Sequence, residues 1–145
     1  MIRLLHRSEV PRLLPLSRQV QALHVAAYPD QYRSDAAASE VLAFFADRLD
    51  SGAQIFVAET PEGALQGFLL AIPIRRPENP FQHARSHVEL DQICVDAACH
   101  GRGIGAALVQ AMEDWMQANG IREWKSAVYG FNTASQGLMQ RQGAQ

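Results

Sequence analysis

The chain has 145 residues, 48% of them hydrophobic, and a formal net charge of −2. That is enough apolar material for one core, so a single domain over residues 1–145 is expected. A near-balanced charge argues against broad nucleic-acid binding, which needs a basic stripe, and no apolar run approaches a membrane span.

Met1 to Leu5 reads as a short strand, and Arg3 and Arg7 interrupt it too early for a signal peptide. Ser8, beside Glu9, can start a helix, with Pro11 confined to its first turn. Leu13, Leu16, Val20 and Leu23 then recur at helical spacing, up to Tyr28-Pro29-Asp30. Ser34 or Asp35 can cap a second helix that buries Val41, Phe44, Phe45 and Leu49 and ends at Gly52. Ile55 to Ala58 is a strand. Pro61-Glu62-Gly63 is a turn, so Leu65 to Ile74 pairs back on it as a hairpin. Arg75 and Arg76 are adjacent but isolated and read as solvated loop, and the loop continues from Pro77 to Ser86. His87 to Val95 is a strand. Ile104 to Asn119 is a helix with Ile104, Leu108, Met112 and Trp115 on one face and Gly120 as its C-cap. Trp124 to Tyr129 is another strand, and Asn132 or Thr133 caps a last short helix ending near Gly143. The order β-α-α-β-β-β-α-β-α predicts a mixed α/β (α+β) domain, part antiparallel, with one β-α-β crossover.

Cys94 and Cys99 fit neither a disulfide framework nor a zinc pattern. They read as reduced thiols of a cytoplasmic protein. His83 and His87 are four apart, with His24 upstream, but no carboxylate cluster joins them, so no metal is expected.

The chemistry concentrates at His100-Gly101-Arg102-Gly103-Ile104-Gly105, between a strand and a helix. The first amides of a helix lack intrahelical partners, and its dipole favours negative charge, so this is a place for a phosphorylated ligand. A nucleotide P-loop needs Lys then Ser or Thr after its last glycine, and Ala106-Ala107 stand there instead. Gly101-x-Gly103-x-x-Ala106, with Glu123 downstream, fits a loose dinucleotide fingerprint. That fold needs several more β-α units than the remaining forty or so residues can make. A bare turn would spend three glycines, each with an entropic cost on ordering.

The stretch His100-x-x-Gly103-x-Gly105 resembles motif A of the GNAT superfamily of acyl-CoA-dependent N-acyltransferases, whose pattern is Q/R-x-x-G-x-G/A. The strand Leu90 to Asp96 is similar to the family's fourth strand, and Asn132, Leu138 and Gly143 are similar to its motif B. The element order matches along nearly the whole chain. The resemblance implies a mostly antiparallel central sheet flanked by helices. It implies that the amides of Gly101, Arg102, Gly103, Ile104, Gly105 and Ala106 hold a pyrophosphate, with His100 in place of the usual Gln or Arg. Backbone groups of Ile93, Cys94 and Val95 would pair with the pantetheine arm, an amide near Val95 would polarise the thioester carbonyl, and Asn132 belongs to the same binding set.

The implied activity is transfer of an acetyl group from acetyl-CoA to a primary amine, carried by a small molecule or a peptide, by direct attack. An amine must be neutral to attack, and deprotonating a lysine-like one at pH 7 costs about 4–5 kcal/mol. Glu89 is the first candidate for the base and Asp91 the second, two apart on one strand face. Met139 stands where the family often has a proton-donating tyrosine, and a thioether donates nothing; Tyr129 is the substitute donor. Tyr28, Tyr32 and the Arg75 to His87 segment are expected at the acceptor pocket. The family normally continues past the Gly143 position with one or two more strands. Their apparent absence predicts an exposed sheet edge that a homodimer would complete, and with Met139 it leaves a non-catalytic acyl-CoA-binding module as the alternative.

Overall fold

A computed structural model describes residues 1–126. Tyr129, Asn132, Leu138, Met139 and Gly143, the last predicted helix and the sheet edge to be completed by a dimer lie outside the described residues. The elements run β1 (Ile2–Leu4), a 3-10 segment (Arg7–Leu13), α1 (Leu14–Ala27), α2 (Ala38–Asp50), β2 (Gln54–Glu59), β3 (Leu65–Arg76), β4 (Arg85–Val95), a 3-10 turn (Ala97–Cys99), α3 (Ile104–Ala118) and β5 (Trp124–Ser126). Over this span the order matches the sequence expectation.

The five strands form one sheet in sequence order. β1 to β4 are antiparallel, and β5 joins β4 in parallel after the α3 crossover. Alternation along the strands feeds two cores. Phe56, Ala58, Leu69, Ala71, Val88, Leu90 and Ile93 pack against Leu108, Val109, Met112 and Met116 of α3. On the other face Ile55, Val57, Phe68, Leu70 and Cys94 meet Leu13, Leu16, Val20 and Phe45. Phe45 and Phe68 meet edge to face at 5.7 Å between centroids, a geometry that adds about 0.5–1.5 kcal/mol to their burial.

Both N-terminal helix starts differ from expectation. The first winds as a 3-10 segment capped at His6, not Ser8. Glu9 supplies the acceptor, taking the His6 backbone N–H at 3.1 Å. α2 is capped at Ala37, not Ser34 or Asp35. Glu40 reaches back to the Ala37 N–H at 3.4 Å, while Arg33 holds both Asp35 and Glu40. Strands β3 and β4 also run further than predicted: Arg75 and Arg76 are strand residues paired with Ser86 and Arg85. The sheet ladder supplies hydrogen bonds that override the polar, loop-like composition there.

Strand β4 is irregular at one point. Leu70 pairs with Gln92, yet the next residue, Ala71, pairs with Leu90. Asp91 is therefore an extra residue, a β-bulge in β4. Val88 and Leu90 face α3 before it, and Ile93 faces α3 after it.

Candidate active site

Strand β4 organises the site. Its C-terminal end leads through Asp96 into the glycine loop and α3. Asp96 caps the short turn by accepting the Ala98 N–H at 3.0 Å, and its own N–H donates to the Gln66 carbonyl at 2.8 Å. Gln19 of α1 takes the Ala97 N–H at 3.1 Å, and the Gln66 amide reaches Cys99 Sγ at 3.8 Å. Gln19 and Gln66 thus anchor the approach to the loop. Neither is marked by the sequence, because isolated glutamines far from a motif give no signal.

Gly101 and Gly103 have φ of +84° and +76°, a conformation that favours glycine. Among the described residues nothing lies within 4 Å of where a Cβ would project from either. Gly103 is the N-cap of α3. The Ala107 N–H donates to the Gly103 carbonyl at 3.0 Å and opens the helical ladder, which leaves the amides of Ile104, Gly105 and Ala106 at the helix mouth without i−4 partners. A fifteen-residue helix aims its positive end there. His100 Nε2 lies 3.0 Å from the Val95 carbonyl oxygen, so the ring is engaged with the end of β4.

Gly67 of β3 lies behind the loop, where a Cβ would come within 2.8 Å of the Cys94 carbonyl and 3.4 Å of Ile104. It lets β3, β4 and α3 approach closely. Ile93, Cys94 and Val95 pair with β3 on one side, while β5 pairs with β4 only at Val88 to Leu90 among the described residues. Cys94 is buried. Its thiol donates to the Leu16 carbonyl at 3.0 Å, and burial pushes it up to about 12, so the thiol is inert.

Glu89 is opposite Ile72, which packs in the α1–α2 core, so both project to that face. The bulge keeps Asp91 on the same face. Glu89 is exposed, and its Oε1 is 3.6 Å from Nε2 of the buried His87. Asp91 is half-buried. Burial pushes its carboxyl above the usual aspartate range, Arg48 of α2 pulls it back, Glu89 adds to the rise, and a hydrogen bond with Gln92 opposes it. Arg48 has no sequence signal, because its neighbourhood with Asp91 is made by packing of α2 on the sheet. His24 stacks near Tyr32 with ring centroids 4.6 Å apart, and burial lowers its pKa.

A mixed sheet thus ends one inner strand in a glycine loop at a helix N-terminus, with two carboxylates upstream on that strand. The acetyltransferase (GNAT) family model matches residues 18–144, and the chain belongs to this family. Among solved structures, a tetramutant of the BH1408 protein from Bacillus halodurans superposes with a TM-score of 0.86 at 21% identity, covering 100% of this chain and 93% of that one. An N-acetyltransferase from Staphylococcus aureus Mu50 gives 0.74 at 26% identity, covering 99% and 81%. The aminoglycoside N-acetyltransferase AAC(6')-Iy in complex with CoA gives 0.69 at 23% identity, covering 100% and 87%. Comparison with curated protein sequences gives no match. Among the described residues no helix is long and apolar enough to cross a membrane.

Proposed function

We propose that the protein is an acetyl-CoA-dependent N-acetyltransferase that transfers the acetyl group directly to a primary amine. The observation that carries this reading is that one strand, β4, bears Glu89 and Asp91 and ends in the loop of Gly101 and Gly103. The amides from Gly101 to Ala106 hold the pyrophosphate, with His100 beside them. The backbone of Ile93, Cys94 and Val95 aligns the pantetheine arm, and Asn132 completes the binding set. The free thiols of Cys94 and Cys99 suit the reducing cytoplasm.

Glu89 takes a proton from the acceptor ammonium, directly or through water. The amine nitrogen then attacks the thioester carbon. An amide near Val95 stabilises the oxyanion, the nitrogen gives up its second proton to solvent, the C–S bond breaks, and the thiolate leaves and is protonated by Tyr129 or solvent. Asp91 lies on the same strand face, and burial raises its own carboxyl.

The test is thiol release from acetyl-CoA with a panel of amines. Glu89→Gln should lower kcat about 10²-fold or more and remove the acidic limb of the pH–rate profile. Wild-type turnover in that variant overturns the role of Glu89. CoA binding without thiol release identifies a binding module, and no CoA binding by calorimetry overturns both.

A further inference from the structure

A cleft of about 260 Å³ opens at the other end of β4 from the glycine loop. Among the described residues it is lined by Arg76, Arg85, His87, Arg122 and Lys125, with Glu123 its one carboxylate. Arg76 and Arg85 are cross-strand partners on β3 and β4, Lys125 on β5 is opposite Glu89, and Arg122 comes from the turn after α3. Three strands and one turn thus bring four cationic side chains to one place.

Four cations line the cleft against one carboxylate, Glu123, among the described residues. Among the described residues the arginine ion pairs take Arg3, Arg7, Arg12 and Arg33, and none involves Arg76, Arg85, Arg122 or Lys125. Residues 127–145 contain no Asp or Glu, so no side-chain carboxylate from that segment can balance them. Like charges held this close repel each other, and in a chain of net charge −2 the concentration is local.

The cleft adjoins the candidate base in the middle of the strand. His87 lines it and lies 3.6 Å from Glu89. Lys125 is the register partner of Glu89, and residues 85, 87 and 89 alternate onto one face, so the cleft begins ~5 Å from the Glu89 backbone and extends to ~13 Å, at the spacing and rise of strands.

We propose that this cleft is the acceptor's anion site: the amine acetylated here carries a carboxylate or phosphate ~5–13 Å from its nucleophilic nitrogen. The inference rests on the acetyltransfer reading. A free α-amino acid is too short to span that distance, while the N-terminal amine of a short peptide with acid groups on its second and third residues reaches it. A polycationic acceptor meets four like charges and is disfavoured.

The test compares tripeptides Ala-Glu-Glu, Ala-phosphoSer-Ala and Ala-Ala-Ala, with spermidine and an aminoglycoside as polycations, by thiol release from acetyl-CoA at low and high salt. The acidic or phosphorylated peptide should have the lowest KM, and the advantage should shrink with salt. The two acidic arms decide between carboxylate and phosphate. In the Arg85→Glu/Arg122→Glu variant the KM of the preferred peptide should rise about tenfold or more, as expected for two screened attractions turned to repulsions, with kcat much less affected. Both residues are exposed, and Arg85→Gln/Arg122→Gln gives a milder second variant with an intermediate KM. Polycations preferred over acidic peptides, or a KM unmoved in both variants, overturns the anion site while leaving acetyl transfer standing. Calorimetry with the same peptides separates the remaining outcomes. Charge-dependent binding without thiol release overturns the acceptor role, and failure of every peptide to bind or react overturns the anion site.

Discussion

Gly67→Ala is a stringent test of how the site is supported. Gly67 has no special backbone conformation, so the substitution adds only a methyl group and stiffens the unfolded chain. The second effect alone would stabilise by about 0.4–1 kcal/mol. The new Cβ, however, would sit 2.8 Å from the Cys94 carbonyl, 3.3 Å from Leu108 Cδ1 and 3.4 Å from Ile104 Cγ2. The side-chain carbons can yield, but the carbonyl is fixed in the β3–β4 ladder. Relief requires β3 and β4 to separate or α3 to tilt, at the typical cost of overpacking, about 1–3 kcal/mol. The net loss is about 0–2.6 kcal/mol, or up to about 8 °C in Tm for a domain of this size. CoA affinity should fall in parallel, because the displaced groups frame the mouth of α3. Thermal melts with and without CoA read both effects. A raised Tm would refute the close approach of the three elements.

Other outcomes rest on charge and burial. The Asp91 carboxyl is raised by burial, so ionising it opposes folding. The penalty is absent below the ordinary value of 3.8 and grows as pH rises through the folded-state pKa. Asp91→Asn should therefore raise Tm at pH 7, with the gain vanishing toward pH 4, as measured by melts across that range. Glu9 behaves oppositely: its hydrogen bonds with Arg3 first, then the His6 N–H and Arg12, hold it down to about 2. Its stabilisation is complete above the ordinary 4.5 and lost as pH falls to about 2, so Glu9→Gln should lower Tm at neutral pH and converge with the parent protein in acid. For the thiols, iodoacetamide on the folded protein at pH 8 should label Cys99 and spare Cys94, whose pKa near 12 leaves about one molecule in ten thousand as thiolate. Two labels per native chain, counted by mass spectrometry, would contradict the burial of Cys94.

Element types and their order were legible because apolar spacing switches cleanly between periods of two and 3.6. The glycine loop was legible because it punctuates that pattern. Local caps were less so: Ser8, Ser34 and Asp35 are good capping residues, yet Glu9 and Glu40 reach back from inside their helices and cap one turn elsewhere. The bulge at Asp91 was invisible, since Glu89 and Asp91 share a face in a regular strand and in this bulged one alike. The cationic cleft was hidden for a different reason. Arg76, Arg85, Arg122 and Lys125 are spread over fifty residues, and only the pairing of three strands collects them. Arg75 and Arg76 looked like solvated loop because nothing in their own neighbourhood marks them as sheet.

The extra residue in β4 also separates two requirements that most strand positions combine. With Leu70 opposite Gln92 and Ala71 opposite Leu90, excising Asp91 would leave an unbroken ladder. Val88, Leu90 and Ile93 would still point to α3, and Gln92 and Cys94 to the opposite layer. The fold's two-sided arithmetic balances without that residue. Asp91 is in this sense a spare in the weave, and the strand can vary it in identity, or in presence, without renegotiating either core.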